Sequence, residues 1–154
     1  VKNLRFLRDE FKSEGIEIPI GIETMGKREV FGSIDEVIEV CKRVHGIVPV
    51  LDVGHIHARG NGCLNEKEDF QAVFDKVSDL EMNHYLIHVT GVKYDRDGEL
   101  YHVPIRKGDM PVLKMMECIV ENDYNVTLIS ESPILEHDAV YAQILLDRAM
   151  EMSK

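Results

Sequence analysis

Four short apolar runs, residues 19–24, 48–54, 85–91 and 126–132, constrain this chain more than any other feature. Each is nearly continuous in hydrophobicity instead of alternating, the pattern of parallel strands covered on both faces. A stretch of helical period follows each one. After the first run come Ile34, Val37, Ile38, Cys41 and Val44, with Ser33 and Glu36 placed as a capping box and Gly46 beyond the helix end. After the second come Phe70, Val73, Phe74, Val77 and Leu80; after the third, Val112, Met116, Ile119 and Val120; after the fourth, Val140, Ile144 and Leu145. Leu4, Leu7 and Phe11 mark one helix before all of these. One helix followed by four βα units means α/β architecture. A doubly wound sheet would show a glycine-rich phosphate turn after its first strand, and Met25-Gly26-Lys27-Arg28 is not one. A full (β/α)8 barrel takes about 250 residues. The 154 residues here therefore predict a single domain, 1–154, that is half of a (β/α)8 TIM barrel.

The polar residues sit where these strands end. The first run closes on Glu23, the second on Asp52 with His55 and His57 just beyond, the third on His88, and the fourth on Glu131. In parallel α/β folds the carboxyl ends of the strands share one face, where active sites form. Three carboxylates gathered there repel one another unless a cation joins them. Mixed carboxylate and imidazole donors suit zinc, manganese or a related divalent ion. His55, and His102 in the long segment after the third strand, are placed to complete a second metal centre. His57 fits an outer-shell role better. Cys41 and Cys118 read as core. Cys63 lies in a loop with no basic partner in sequence.

Charge and composition remove other classes. With 28 acidic and 18 basic residues the net charge is −10, too negative for binding to nucleic acid or anionic lipid through the bulk field alone. A nucleic-acid enzyme carrying its own cations remains compatible with it. No apolar run approaches the roughly 20 residues that span a bilayer, so no membrane partner is expected. No positively charged start leads into an apolar signal segment, and three scattered cysteines fit a reducing setting. A cytoplasmic location is the expectation.

The segments Gly21-Ile22-Glu23-Thr24-Met25-Gly26, Asp52-Val53-Gly54-His55-Ile56-His57-Ala58-Arg59-Gly60, His88-Val89-Thr90-Gly91, His102-Val103-Pro104-Ile105 through Gly108-Asp109, and Ile129-Ser130-Glu131-Ser132-Pro133 resemble endonuclease IV. This is the zinc-dependent apurinic/apyrimidinic endonuclease family, within the xylose isomerase-like TIM barrels, and the archaeal-type members are most similar. The resemblance implies a zinc site of two or three ions, with manganese or magnesium as substitutes, that hydrolyses DNA 5′ to abasic sites in base-excision repair. It implies that Glu23 bridges two zincs, that Asp52, His88 and Glu131 bind one of that pair, and that His55 and His102 hold the third. Glu131 would also orient or deprotonate the attacking water, and Glu23 and Glu131 would be the catalytic residues. The family's acidic residue two positions before His102 is Leu100 here, so the third zinc is either held through Glu99 or Asp97 or missing.

The resemblance corresponds to the C-terminal half of that barrel. A half barrel leaves two sheet edges open, and the expected partner is a missing N-terminal half-barrel or a second copy forming a homodimer. The alternatives are a sugar isomerase or epimerase, which needs one ion, and a non-catalytic incomplete barrel.

Overall fold

In the computed structural model, which describes residues 1–154, the first helix is α1 (Lys2–Ser13), and four parallel strands follow in chain order. These are β1 (Ile20–Glu23), β2 (Ile47–Asp52), β3 (Tyr85–Val89) and, after a two-stranded insertion, β6 (Val126–Ser130). The sheet order β1-β2-β3-β6 puts each strand beside its predecessor, as barrel topology requires, and supplies four of a barrel's eight strands. The crossover helices are α2 (Ile34–Arg43), α4 (Lys67–Val77), α5 (Val112–Glu121) and α6 (Glu136–Met152). The capping box at α2 is present: the Glu36 amide donates to Ser33 Oγ, and Glu36 accepts from the Ser33 amide at 2.9 Å.

Register decides which side chains share a face, because partnered residues in parallel strands point the same way. Glu23 pairs with Val50, Val50 with Leu86, and Leu86 with Thr127; Asp52 pairs with His88, and His88 with Ile129. These residues form the inner face. The opposite face, Leu51, Ile87, Val89 and Leu128, packs on α4, α5 and α6 through Phe70, Phe74, Met115, Met116, Ala142 and Leu145. Phe74 stacks on Tyr124 at 4.1 Å between ring centres, and Tyr85 meets both edge-on.

Three expectations need revision. The strands were expected to be covered on both faces, but the inner face is open at β6, where Thr127 is exposed and Ile129 is 43% exposed. Four strands cannot curl far enough to close over their own concave side. The long segment after β3, which shows no strand pattern in sequence, is an antiparallel hairpin, β4 (Gly91–Asp95) and β5 (Gly98–Val103). The residues after Asp52 are a short helix, α3 (Val53–Arg59), capped by the Asp52 side chain, which accepts the His55 amide at 2.7 Å. No helix is long and apolar enough to cross a membrane.

Candidate metal centre

Glu23, Asp52 and His88 come from the last or next-to-last residues of β1, β2 and β3, and Glu131 is the first residue after β6. Their donor atoms all lie within 4.8 Å of one another. His88 Nδ1 is 3.0 Å from a Glu131 oxygen and 3.7 Å from one of Glu23. Two buried atoms in this group have no hydrogen-bond partner, Asp52 Oδ2 and His88 Nδ1. An orphaned carboxylate oxygen costs several kcal/mol in a protein interior, and here it faces an imidazole nitrogen that is equally unpartnered. That donor set fits a divalent cation.

A second group adjoins the first. His55 Nε2, His102 Nε2 and Glu99 converge, with the two imidazole nitrogens 3.2 Å apart and each 3.2–3.3 Å from a Glu99 oxygen. The tautomers follow from the other ring nitrogens. His55 Nδ1 lies 2.8 Å from the Thr24 carbonyl oxygen and His102 Nδ1 lies 3.2 Å from the Glu131 carbonyl oxygen. A carbonyl can only accept, so both Nδ1 atoms carry a proton, and in the neutral rings both Nε2 atoms present lone pairs. Two lone pairs and a carboxylate facing one another repel unless a positive charge lies among them. This group fits a second cation.

The two groups share a wall. His55 Nδ1 is 3.2 Å from Glu23 and 3.7 Å from Asp52, while its Nε2 belongs to the second group. The electrostatics register the crowding. Burial pushes the Asp52 carboxyl up to about 6, opposed by His55 and reinforced by Glu23 and Glu131. Burial alone would depress His55, but Asp52, the Thr24 carbonyl, Glu99 and Glu23 outweigh it and raise its pKa. Both groups hold a proton longer than usual, as a cluster short of positive charge must.

All six expected ligands therefore converge: Glu23, Asp52, His88 and Glu131 in one group, His55 and His102 in the other. The carboxylate left open between Glu99 and Asp97 is Glu99. In a regular strand Glu99 and His102, three residues apart, point to opposite faces. The ladder breaks here: Lys93 pairs with Tyr101 and Tyr94 with Glu99, so Leu100 is an extra residue in β5. This bulge turns Glu99 onto the face of His102 and sends Leu100 outward, 54% exposed.

His57 is a ligand in neither group. Its Nδ1 accepts from the Leu64 amide at 3.1 Å and its Nε2 donates to Asp109 at 3.2 Å; Tyr94 donates to the same carboxylate at 2.6 Å. Burial holds His57 below the usual imidazole range. Burial likewise raises the Cys63 thiol, which makes it a poor nucleophile. An apolar cavity of about 360 Å³ beside Met25, Ile34, Ile56 and Val73 contains none of the candidate ligands. A more polar groove of about 530 Å³, lined by Lys27, Arg28, Glu29, Asp95, Asp97 and Leu100, borders the second group at Glu99.

Comparison with known proteins agrees with this fold. The chain is 30% identical over 142 residues to the uncharacterized protein MJ0133 of Methanocaldococcus jannaschii, covering 90% of this chain and 52% of that one. It superposes on a solved D-tagatose 3-epimerase-like protein with a TM-score of 0.67 at 22% identity, covering 97% of this chain and 54% of the other. The chain thus spans about half the length of the relatives it matches. The model of the xylose isomerase-like TIM barrel matches residues 1–148. With that match over nearly the whole chain and four sequential parallel strands in barrel order, the chain belongs to the xylose isomerase-like TIM barrel family.

Proposed function

We propose that this chain carries the metal-binding half of a divalent-metal-dependent phosphodiester hydrolase that cuts DNA 5′ to abasic sites, in the manner of endonuclease IV. The single observation that supports this best is the pair of adjoining cation-demanding groups, Glu23/Asp52/His88/Glu131 and His55/Glu99/His102. Adjacent ions suit in-line displacement at phosphorus, where the attacking and leaving oxygens both need charge stabilisation. Zinc is the favoured metal, since the donors mix imidazole nitrogen with carboxylate oxygen; manganese and magnesium are the alternatives. The bound ions would neutralise the phosphodiester and acidify the attacking water.

The protein groups have separable tasks. Glu23, 32% exposed, lies 3.7 Å from His88 Nδ1 in the first group and 3.2 Å from the Nδ1 side of the His55 ring whose Nε2 belongs to the second, the place a bridging carboxylate would take. Glu131, 34% exposed and 3.0 Å from His88 Nδ1, is open to solvent and can accept a proton from water. The carbonyls of Thr24 and Glu131 fix both imidazoles of the second group so that they present Nε2. Lys27 and Arg28 would be the cations to meet a neighbouring phosphate, in a groove beside Glu99 that also holds Glu29, Asp95 and Asp97. The open inner face around Ile129 would be covered by the other half of a longer polypeptide or by a second copy of this chain.

The test is incision of a duplex containing one abasic site, with zinc, by wild type and E131Q. Strand cleavage 5′ to the lesion, reduced on the order of 100-fold or more in E131Q, supports the reading. Absence of incision beside turnover of a ketose or aldose overturns it in favour of a sugar isomerase or epimerase. That second reading is favoured by one observation: the Glu23/Asp52/His88/Glu131 quartet is a complete ligand set for a single ion. Neither activity would leave an incomplete, non-catalytic barrel.

A further inference from the structure

We propose that Arg59 is a positioning residue for the second cation group, acting through residues 25–30, against which the β4–β5 hairpin sets Glu99. The inference rests on the reading that His55, Glu99 and His102 hold an ion. Arg59 is the last residue of α3, whose cap is Asp52 and whose third residue is His55. His55 and Arg59 are four apart, so one turn of one helix places both.

The Arg59 guanidinium is 19% exposed and gathers a whole segment of backbone. It donates to the carbonyls of Val30 at 3.0 Å, Arg28 at 3.3 Å and Met25 at 3.4 Å, and to that of Lys27. In return Arg28 Nε donates to the Arg59 carbonyl at 2.7 Å. The Glu36 carboxylate, 3.7 Å away, balances the charge. The same segment is the seat of the hairpin. The Glu99 amide donates to the Gly26 carbonyl and the Arg28 amide to the Asp97 carbonyl, each at 3.1 Å. Contact is close enough that a Cβ at Gly26 would fall 2.6 Å from the Glu99 carboxylate oxygen. A movement of a few tenths of an ångström in this segment is therefore passed directly to Glu99.

Lysine keeps the charge but has no planar fork of five donors, so it cannot hold these carbonyls together. The experiment uses the full chain as wild type, R59K, R59Q and E99Q. Amide hydrogen exchange is measured with chelator present, and zinc binding by calorimetric titration. We expect the Glu99 and Arg28 amides to exchange about tenfold faster in R59K, the loss of roughly one hydrogen bond, while β3 amides stay unchanged. We expect the weaker of two zinc sites to lose affinity by about tenfold or more in R59K and R59Q, in the direction of E99Q, while the tighter site is kept. Unchanged exchange at Glu99 in both Arg59 variants overturns the positioning role. Wild type and E99Q binding equal amounts of zinc overturns the second cation site itself, and the exchange result then still decides whether Arg59 holds Glu99.

Discussion

Replacing Asp52 with asparagine should stabilise the metal-free chain and remove its response to metal. Asp52 is 0% exposed, and its Oδ2 has no partner. Burial moves the acid from 3.8 to about 6. Ionising it in the fold therefore costs about 3 kcal/mol more than in the unfolded chain. Near pH 3.8 and below, the acid is protonated in both states and the penalty is absent; it grows as pH rises and is complete above about 6. Asparagine removes the charge and keeps the cap, since its side-chain oxygen accepts the His55 amide as well as aspartate does. Its amide nitrogen can donate to the Glu23 carboxylate nearby. For a chain of this size about 3 kcal/mol corresponds to roughly 6–12 °C in melting temperature. Thermal unfolding in chelator from pH 4.5 to 8 checks this. D52N should melt higher than wild type at pH 7, with the gap closing toward pH 4.5. In zinc at about 100 times its Kd, wild type should gain about 2.7 kcal/mol and D52N much less. A D52N chain less stable than wild type in chelator at pH 7 would refute the account of Asp52 as a charge awaiting its cation.

Other outcomes follow from separate features. Gly98 has φ +106, and a Cβ there would land on the Gly26 carbonyl oxygen, so G98A should detach the hairpin at a cost of about 1–3 kcal/mol; elemental analysis should find the second zinc equivalent gone. Asp138, 2% exposed, accepts the buried Ile105 amide at 2.6 Å, so D138A should cost about 1–3 kcal/mol in urea unfolding without changing zinc content. E131Q should keep the fold while losing incision.

Much of this fold and site is legible in the sequence. The strands announced themselves because they are apolar on consecutive residues, and Glu23, Asp52, His88 and Glu131 because each interrupts such a run at its end. Convergence then needed only the rule that parallel strands end together. Glu99 was harder. It is one of two acids that could replace the missing one, and strand alternation argues against it, since it lies three residues before His102. The bulge at Leu100 reverses that parity, and no local pattern in Gly98-Glu99-Leu100-Tyr101-His102 marks it. The hairpin was hidden for a related reason, since Asp95-Arg96-Asp97-Gly98-Glu99 looks like a solvated charged loop. Helix α3 was masked because Asp52, the last residue of its strand, is also the cap of the helix. The open inner face was not visible either, because Thr127 and Ile129 belong to the same apolar run as the buried strands.

The placement of His55 between the two groups has a thermodynamic consequence. One imidazole ring closes the second group with its Nε2 and lies against Glu23 and Asp52 of the first with its Nδ1. Two ions held there would not bind independently. Any change that one ion makes in the affinity of the other must be returned by the same factor, because the coupling free energy belongs to the pair. Repulsion between the cations weakens the second binding step, while the freezing of His55 by the first ion strengthens it. The balance of these two terms sets whether such a chain fills in two separated steps or in one.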